Sequence, residues 1–314
     1  MSINWFPGHM HKARKEIAEV MKDIDVVIEV LDARLPVSSE NPMVSALRKG
    51  TPVIKLLNKC DLADPIRSQE WLEYFNSLPD TTAMLIDYQQ KKLISRIPEL
   101  CKQQVPSRAS AGRPVRAMIM GIPNVGKSTM INALLGKRIA KVGNEPAVTK
   151  GQKRFTLKNG MALSDTPGIL WPKIEDRDSG YRLAASGAIK DTAIEYEDIA
   201  LYAAGFLRSD YPELLCQRYK LKELPETAED VLESIGRKRA GLRPGGVVDL
   251  HKASEILLNE LRSGLIGNIS YETVDEWQVK WEAQRIEAER LEQERLEEER
   301  LAAEQQTDKQ SRRR

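Results

Sequence analysis

Short apolar runs alternate with amphipathic stretches over the first hundred residues. Runs such as DVVIEVLDA at 25–33 and TPVIKLLNK at 51–59 are typical of buried strands. The stretches between the runs, for example KKLISRIPELCKQQ at 91–104, have the pattern of amphipathic helices. Strands and helices in alternation predict βαβ units and a parallel sheet. A connection rich in Pro, Ser, Gly and Arg at 105–114 is predicted to be exposed.

A second α/β stretch begins after this connection. VRAMIMG at 115–121 predicts a buried strand, and KSTMINALLGK at 127–137 predicts a helix. Two further strands are expected at 153–158 and 161–166. Both stretches together predict one doubly wound α/β domain of about 170 residues.

The domain boundaries are placed where these patterns change. Residues 1–178 are predicted to form the α/β domain, which includes an N-terminal segment at 1–22. Helical periodicity then dominates, which predicts a small all-α domain at 179–272. In 273–314, Arg and Leu recur every five residues, a step of about 140° around a helix that forms no coiled-coil seam. This segment is predicted to be a charged single helix with a disordered end from residue 307.

Composition narrows the class of protein. Hydrophobic residues make up 41% and charged residues 30% of the chain, a balance typical of soluble globular proteins. The three cysteines lack CxxC spacing, so neither a disulfide framework nor a structural zinc site is indicated. The sequence contains no signal-peptide-like apolar run and no long apolar stretch. A monomeric, cytoplasmic protein with no membrane partner is therefore expected.

The segment GIPNVGKS, residues 121–128, matches G-x-x-x-x-G-K-[ST] between a predicted strand and a predicted helix. Backbone N–H groups in such a loop bind phosphate oxygens, Lys127 adds positive charge at the β- and γ-phosphates, and the Ser128 hydroxyl binds Mg²⁺. The residues of this loop predicted to bind the nucleotide are Asn124, Val125, Gly126, Lys127, Ser128 and Thr129.

Two further segments predict a nucleotide-dependent switch. In DTPG, residues 165–168, the Asp165 carboxylate would reach the Mg²⁺ shell and the Gly168 N–H would contact the γ-phosphate. Thr149 lies in a loop of polar and turn-forming residues, where a switch threonine would complete the Mg²⁺ sphere. Ser128, Thr149 and Asp165 are therefore the predicted Mg²⁺ ligands.

The motif NKCD, residues 58–61, follows a predicted parallel strand. Asp61 can accept hydrogen bonds from both the ring N–H and the exocyclic amine of guanine. Adenine has no such donor pair, so a carboxylate would be left unpaired against ATP, and the pattern predicts GTP. In an ordinary GTPase this motif follows the phosphate loop, whereas here it precedes the loop. A circularly permuted P-loop GTPase domain is therefore predicted, because cuts at surface connections are tolerated.

These motifs, in this order, resemble those of the bacterial ribosome biogenesis GTPase A family. WFPGHMHKA at 5–13, DARLPVSSENP at 32–42 and GAIKD at 187–191 also match, and the resemblance extends to about Tyr271. It implies a GTPase that acts late in assembly of the large (50S) ribosomal subunit and binds its rRNA, with hydrolysis stimulated by the particle. It also implies that the helical domain at 179–272 binds RNA.

The resemblance further implies that LIDYQQKK at 85–92 completes the guanine site. The family usually has Asn or Ser and then a small residue where this chain has Asp87 and Tyr88, so contact through the backbone is expected there. A second departure is Ala147, at a position where Gly usually follows Pro. The predicted GTP-binding residues outside the phosphate loop are Asn58, Lys59, Cys60, Asp61, Ile86, Asp87 and Gly168.

Hydrolysis needs a group that orients the attacking water. Ile169 and Leu170 follow Gly168, so the glutamine that Ras-like proteins use has no counterpart. His9 is predicted to take this role, and its alternative roles are capping of the first helix or contact with RNA. The predicted catalytic residues are His9, Lys127 and Thr149.

A second cation is predicted beside Mg²⁺. Asn124 resembles the position at which some GTPases hold K⁺, which neutralises charge as an arginine finger would. K⁺ is therefore a predicted cofactor with Asn124 as its ligand.

Three functions compete at this point. The first is the large-subunit assembly factor, and the second is a GTP-regulated RNA-binding module not dedicated to the ribosome. A metabolic kinase is disfavoured because it would leave the guanine motif unexplained. Clustered cations suit contacts with phosphates in either of the first two cases, although a solvated face is the alternative for the cluster Arg237, Lys238, Arg239 and Arg243.

Overall fold

The computed structural model describes residues 15, 17–137, 153–166, 170, 174, 176–189, 195–240 and 246–311. The chain divides into two compact units, Met1–Tyr271 and Glu272–Arg314. The first unit contains a β-sheet and the helices around it, and the second contains one long helix. In the part of the chain described here, no helix combines the length and the apolar character needed to cross a membrane.

Six strands form one sheet in the first unit. They are β1 (Val26–Asp32), β2 (Val53–Asn58), β3 (Thr81–Ile86), β4 (Arg116–Met120), β5 (Lys153–Thr156) and β6 (Ala162–Asp165). Their order across the sheet is β3-β2-β1-β4-β6-β5, and every neighbouring pair is parallel except β5 and β6. The direction of winding reverses between β1 and β4, the point at which doubly wound sheets bind their ligands. The predicted doubly wound fold is confirmed.

The central strands are buried along their length, as expected of strands covered on both faces. β1 and β2 nevertheless contain buried charged residues, among them Glu29 and Lys55. They occupy adjacent positions in the parallel register, and Lys55 Nζ lies 2.9 Å from Glu29 Oε2. This pairing offsets the large cost of burying each charge alone.

In the part of the chain that the structure describes, the connections between strands contain six helices. They are α1 (Pro42–Arg48), α2 (Pro65–Ser77), α3 (Lys91–Ile94), α4 (Ile97–Gln104), α5 (Pro106–Ser110) and α6 (Lys127–Leu135). The first two begin alike: the side chains of Asn41 and Asp64 accept hydrogen bonds from backbone N–H groups, and a proline follows each cap. These are the N-terminal signals expected of stable helices.

One prediction about this region is wrong, and a second one is incomplete. The amphipathic stretch at 91–104 forms two helices instead of one, because Pro98 has no N–H to donate to the Ile94 carbonyl. The connection at 105–114 is largely exposed, as predicted, but it contains α5. Proline suits the first position of that helix, and Ser110 Oγ donates to Pro106 O at 2.8 Å.

Among the described residues of the first unit, five helices follow the sheet. They are α7 (Arg177–Ala185), α8 (Tyr196–Asp210), α9 (Pro212–Tyr219), α10 (Ala228–Ile235) and α11 (Leu250–Arg262), with a π-helical turn at Gly236–Ala240. One cluster of buried hydrophobic residues extends from Val26 in β1 through Leu207 in α8 to Tyr271. The helices and the sheet thus share a core, and the boundary between residues 178 and 179 stays a prediction.

The second unit is the helix α12 (Val274–Ser311). Arg290 lies 2.7 Å from Glu287 and 2.6 Å from Glu294, which are two of the pairs expected to stabilise an isolated helix. The helix continues through residues 307–311, which were predicted to be disordered; the remaining residues, 312–314, lie outside the described part.

Candidate nucleotide-binding site

The phosphate loop, residues 121–128, joins the end of β4 to the start of α6. Gly121 has a φ of 148°, and a Cβ atom there would lie 2.5 Å from Val30 O of β1. Gly126 has a φ of 104° and precedes Lys127, the first residue of α6. Both positions require glycine. The loop therefore places the N-terminus of a helix, an environment that favours phosphate, at the carboxyl edge of the sheet.

Lys127 folds back over this loop. Its Nζ donates to Ile122 O at 2.6 Å, and the residue is 7% exposed. Burial lowers the pKa of Lys127 to about 8, although the charge of Asp165 opposes this shift. Phosphate oxygens bound here would stabilise the ammonium, which matches the role expected of the lysine in a phosphate loop.

The predicted Mg²⁺ ligands that the structure describes lie on neighbouring elements. Asp165 ends β6, pairs in register with Ile119 of β4 and is 1% exposed. The next residue, Thr166, donates its hydroxyl to Ile119 O at 2.9 Å and fixes the end of the strand. Ser128 is half-buried in the first turn of α6, next to the lysine on which the Asp165 charge acts. Asp165 and Ser128 are thus assembled at the same edge of the sheet.

Asn58 connects the base motif to the phosphate loop. It is the last residue of β2, and its Nδ2 donates to Val125 O at 2.8 Å. A Cβ atom on Gly126 would lie 2.3 Å from the same nitrogen. The glycine therefore leaves the space that Asn58 occupies. The two motifs meet in the fold although the base motif comes first in the chain, as the predicted permutation requires.

A buried ion pair lies next to the base motif, and the sequence analysis assigned it no role. Arg34 donates to both carboxylate oxygens of Asp32, at 2.9 and 2.8 Å. Lys59 Nζ also donates to Asp32, at 2.8 Å. Burial would raise the pKa of Asp32, but the charges of Arg34 and Lys59 hold it well below its usual range. The sequence signal for this pair is the D-x-R pattern of residues 32–34, which begins at the last residue of β1.

The remaining residues of the base site come from two adjacent loops. Asp61 is exposed, and Cys60 N donates to Ile86 O at 3.4 Å, which holds the two loops together. Asp87 uses its carboxylate to accept from Gln89 N at 2.6 Å, so this side chain stabilises its own turn. Burial, with the charges of Asp87 and Asp61, raises the pKa of Cys60 to about 11, so its thiol is neutral at pH 7.

Asn124 has a contact that the sequence did not predict. Its backbone is left-handed, with φ 56°, and its Nδ2 donates to Gly187 O at 2.9 Å. Gly187 follows α7, and Arg262 of α11 donates to the last carbonyls of that helix, Ala185 O at 3.0 Å and Ala184 O at 2.9 Å. The phosphate loop is therefore connected through α7 to α11.

Three predicted site residues, His9, Thr149 and Gly168, lie outside the described residues. Val125 is buried, and Thr129 is half-buried in the first turn of α6. The described residues thus include both halves of the predicted nucleotide site, the phosphate loop and the base motif.

Comparison with known proteins identifies relatives of this fold. The family described as 50S ribosome-binding GTPase matches residues 116–231. Ribosome biogenesis GTPase A of Priestia megaterium is 46% identical over 284 residues, which cover 88% of this chain and 98% of that protein. The protein of the same name from Thermotoga maritima is 32% identical over 274 residues, which cover 87% of this chain and 95% of that protein.

A solved structure shares the architecture. GNP-bound YlqF from T. maritima aligns with a TM-score of 0.59 and 29% identity, covering 83% of this chain and 98% of that chain. The similarity thus extends over most of this chain and nearly all of that structure. The chain therefore belongs to the ribosome biogenesis GTPase A family and is a GTPase.

Proposed function

We propose that the protein is an assembly factor for the large (50S) ribosomal subunit, that it binds rRNA, and that the particle stimulates its GTP hydrolysis. The observation that carries the nucleotide part is the hydrogen bond from Asn58 to Val125 O, which joins the base motif to the phosphate loop. The ribosomal part is supported by relatives named for ribosome biogenesis and by the match to a 50S ribosome-binding family.

Guanine is bound at the junction of the two loops. Asp61 accepts from the ring N–H and the exocyclic amine, and its exposed position leaves its carboxylate accessible to the base. Among the described residues, the buried Asn58 Oδ1 has no hydrogen-bond partner, and a bound base can supply one. The GTP-binding residues are Asn58, Lys59, Cys60, Asp61, Ile86, Asp87, Asn124, Val125, Gly126, Lys127, Ser128, Thr129 and Gly168.

Mg²⁺ fits the oxygen donors at the phosphate loop, a half-buried hydroxyl on Ser128 and a buried carboxylate on Asp165. Thr149 completes this set. The ion neutralises charge on the phosphates when it is bound. Lys127 acts from the other side of the loop, where its ammonium stabilises charge on the transferred phosphoryl group.

K⁺ is proposed as a second cation with Asn124 as a ligand. The amide of Asn124 is oriented by its bond to Gly187 O, so a K⁺ site here is linked to the turn after α7. We expect faster hydrolysis in K⁺ than in Na⁺ at equal ionic strength. Equal rates in the two salts would remove K⁺ from the proposal.

His9 is proposed to orient the attacking water. Leu170, which lies two residues after Gly168, is buried and apolar, and its side chain has no group that accepts a hydrogen bond from water. A histidine can accept such a hydrogen bond near neutral pH. His9→Ala is expected to lower particle-stimulated hydrolysis while leaving the affinity for GDP unchanged.

RNA contact is proposed for the exposed cations on the turn after α10. Arg237, Lys238 and Arg239 are exposed, and this charge suits contact with phosphates. The second candidate function, a GTP-regulated RNA-binding module not dedicated to the ribosome, has the same cationic surface. In this second function hydrolysis only resets the affinity for RNA, so stimulation of hydrolysis by the large subunit separates the two functions.

The deciding experiment measures GTP hydrolysis in K⁺ by the protein alone and with large subunits, small subunits or bulk tRNA. Stimulation by large subunits alone is the expected result, and Lys127→Ala controls for contaminating activity. Equal rates in every mixture would contradict the assembly-factor proposal and favour the RNA-binding module.

A further inference from the structure

A segment after α11 contacts the loop between β2 and α2, residues 59–64. This loop is here called the guanine-reading loop because it contains Asp61. The side chain of Asn268 donates two hydrogen bonds from Nδ2, one to Asp61 O at 2.9 Å and one to Ala63 O at 3.0 Å. Both acceptors belong to the loop that follows β2. The donor is 207 positions away from Asp61 in the chain.

The backbone beside Asn268 continues this pairing. Ile269 N donates to Leu62 O at 3.0 Å, and Asp64 N donates to Ser270 Oγ at 3.1 Å. Residues 268–271, here called the strap, therefore lie along the guanine-reading loop from Asp61 to Asp64.

The strap is itself fixed to the rest of the first unit. Arg67 donates to Ser270 O at 2.7 Å, and Ser270 N donates to the Tyr211 hydroxyl at 3.1 Å. At the other end, Tyr271 N donates to Arg34 O at 2.6 Å. The strap is thus a rigid support that connects the loop after β2 with α2 and with the residue that follows α8.

The turn around Asp61 has local backbone hydrogen bonds, from Leu62 N to Lys59 O and from Ala63 N to Cys60 O, and the strap adds a contact from outside the turn. Its side chain is exposed, so packing does not restrict the orientation of the carboxylate. Lys59, two residues earlier, has the left-handed φ of 61°, so the backbone departs from regular structure just before Asp61. A hydrogen bond to the carbonyl of Asp61 itself therefore restricts the backbone at the residue that reads the base.

We propose that Asn268 is a positioning residue for guanine recognition, which holds Asp61 so that its carboxylate meets both the ring N–H and the 2-amino group. This inference rests on the proposed role of Asp61. The side chain of Asn268 acts only through the loop and does not itself contact the nucleotide.

The test compares the dissociation constants of GDP and of inosine diphosphate, whose base lacks the 2-amino group. Asn268→Ala is expected to raise the constant for GDP roughly threefold to tenfold, the range for loss of one or two hydrogen bonds. The constant for inosine diphosphate should rise less, so the preference for GDP shrinks. Asn268→Asp also lacks the amide N–H donors. Its dissociation constants for GDP and inosine diphosphate should therefore change as those of Asn268→Ala do.

Asn259→Ala is the matched control, because Asn259 is exposed on α11. It should leave both constants unchanged. If Asn268→Ala changes neither dissociation constant, or raises both by the same factor, the positioning role is wrong. A smaller fraction of folded protein would raise both constants equally, so it cannot explain a change in the preference for GDP. Thermal unfolding of each variant checks that it is folded.

Asp61→Ala distinguishes a failure of this inference from a failure of the proposed role of Asp61, on which the inference rests. If Asp61→Ala loses the preference for GDP and Asn268→Ala keeps it, only the inference about Asn268 fails. If Asp61→Ala binds GDP as the unchanged protein does, the assignment of Asp61 fails and the role of Asn268 fails with it.

Discussion

At the scale of single residues, the nucleotide site depends on close approaches that only particular side chains allow. The space at Gly126 is filled by the amide of Asn58, which bonds to Val125 O on the phosphate loop. The same few atoms thus join two motifs that are far apart in the chain. A change at this contact should affect the base half and the phosphate half together.

Gly126→Ala tests this contact. The new Cβ atom would lie 2.3 Å from Asn58 Nδ2, and the φ of 104° adds backbone strain. Displacing Asn58 costs a buried hydrogen bond, so the GDP dissociation constant should rise about tenfold or more. Equilibrium titration with a fluorescent GDP analogue measures it.

Gly136→Ala is the control for this variant. Gly136 also has a positive φ, 67°, but nothing lies within 4 Å of the added Cβ. It should lower the free energy of unfolding by roughly 1 kcal/mol, from backbone strain, and leave GDP affinity unchanged. A Gly126→Ala protein that binds GDP normally would show that Asn58 has room to move.

The buried charge of Lys127 predicts a pH dependence of stability. Its pKa falls from 10.5 to about 8 on folding without nucleotide, so between these pH values the unfolded chain binds a proton that the folded chain does not. The free energy of unfolding of the nucleotide-free protein should therefore rise with pH across this window. Lys127→Met removes the buried charge and should stabilise the protein at pH 7 by up to about 3 kcal/mol, while abolishing hydrolysis.

The measurement is urea unfolding of both proteins without nucleotide, at neutral pH and at about pH 10. The advantage of Lys127→Met should shrink at the higher pH, where the lysine of the folded protein is already neutral. An advantage that stays constant with pH would mean that packing, not charge, is responsible.

Sequence motifs predict site residues where chemistry alone dictates the residue type, as at Lys127 and Asp61. They did not reveal the contacts of Asn124 with Gly187 or of Asn268 with Asp61. These are single hydrogen bonds from asparagine amides to backbone carbonyls, and any residue offers such a carbonyl. No residue type at the acceptor marks them in the sequence.

At the scale of elements, local rules predicted most of the strands and helices. Apolar runs predicted the central strands β1, β2 and β4, because strands buried on both faces need little else. The break at Pro98 follows from the missing N–H and shows that amphipathic periodicity alone does not locate helix ends. The extension of α12 through residues 307–311 was not predicted, since polar composition was taken to favour disorder.

The tail helix α12 should be sensitive to salt. Its exposed part has ion pairs one turn apart, such as those of Arg290 with Glu287 and Glu294, and exposed pairs are screened. A peptide of residues 283–311 should lose helical circular dichroism when salt rises to about 1 M, where the screening length is about 3 Å. A peptide with the same composition in scrambled order is the control. A helical signal that is indifferent to salt would contradict this explanation.

At the scale of the whole molecule, the sheet and the helices after it should unfold together. One large buried hydrophobic cluster extends from β1 through α8 to Tyr271, so the sheet and the helices after it share a core. Calorimetry should therefore show a single transition for the first unit, and GDP should raise its midpoint temperature. Hydrogen exchange should give similar opening free energies for β1 and α8.

Two transitions, of which GDP moves only one, would contradict this expectation. They would instead support the boundary predicted between residues 178 and 179. The sequence predicts that boundary from the change from strands to helices, but periodicity does not report whether two regions share a core.

The permutation was predictable because motif order is visible in the sequence, and the sheet order β3-β2-β1-β4-β6-β5 explains how it works. β1 and β4 lie side by side, so the loops after β2 and β4 meet at one edge wherever the chain begins. The sequence did not predict that the site is supported from the far end of the first unit, at residues 268–271.

This support has a consequence for synthesis, which proceeds from the N-terminus. The guanine-reading loop emerges early, yet its partner Asn268 follows 207 residues later. A nascent chain with β2 and even the phosphate loop still lacks the group that fixes Asp61. On the proposed role of Asn268, full affinity for the nucleotide is therefore expected only when translation has passed residue 268, so that shorter nascent chains bind GTP more weakly.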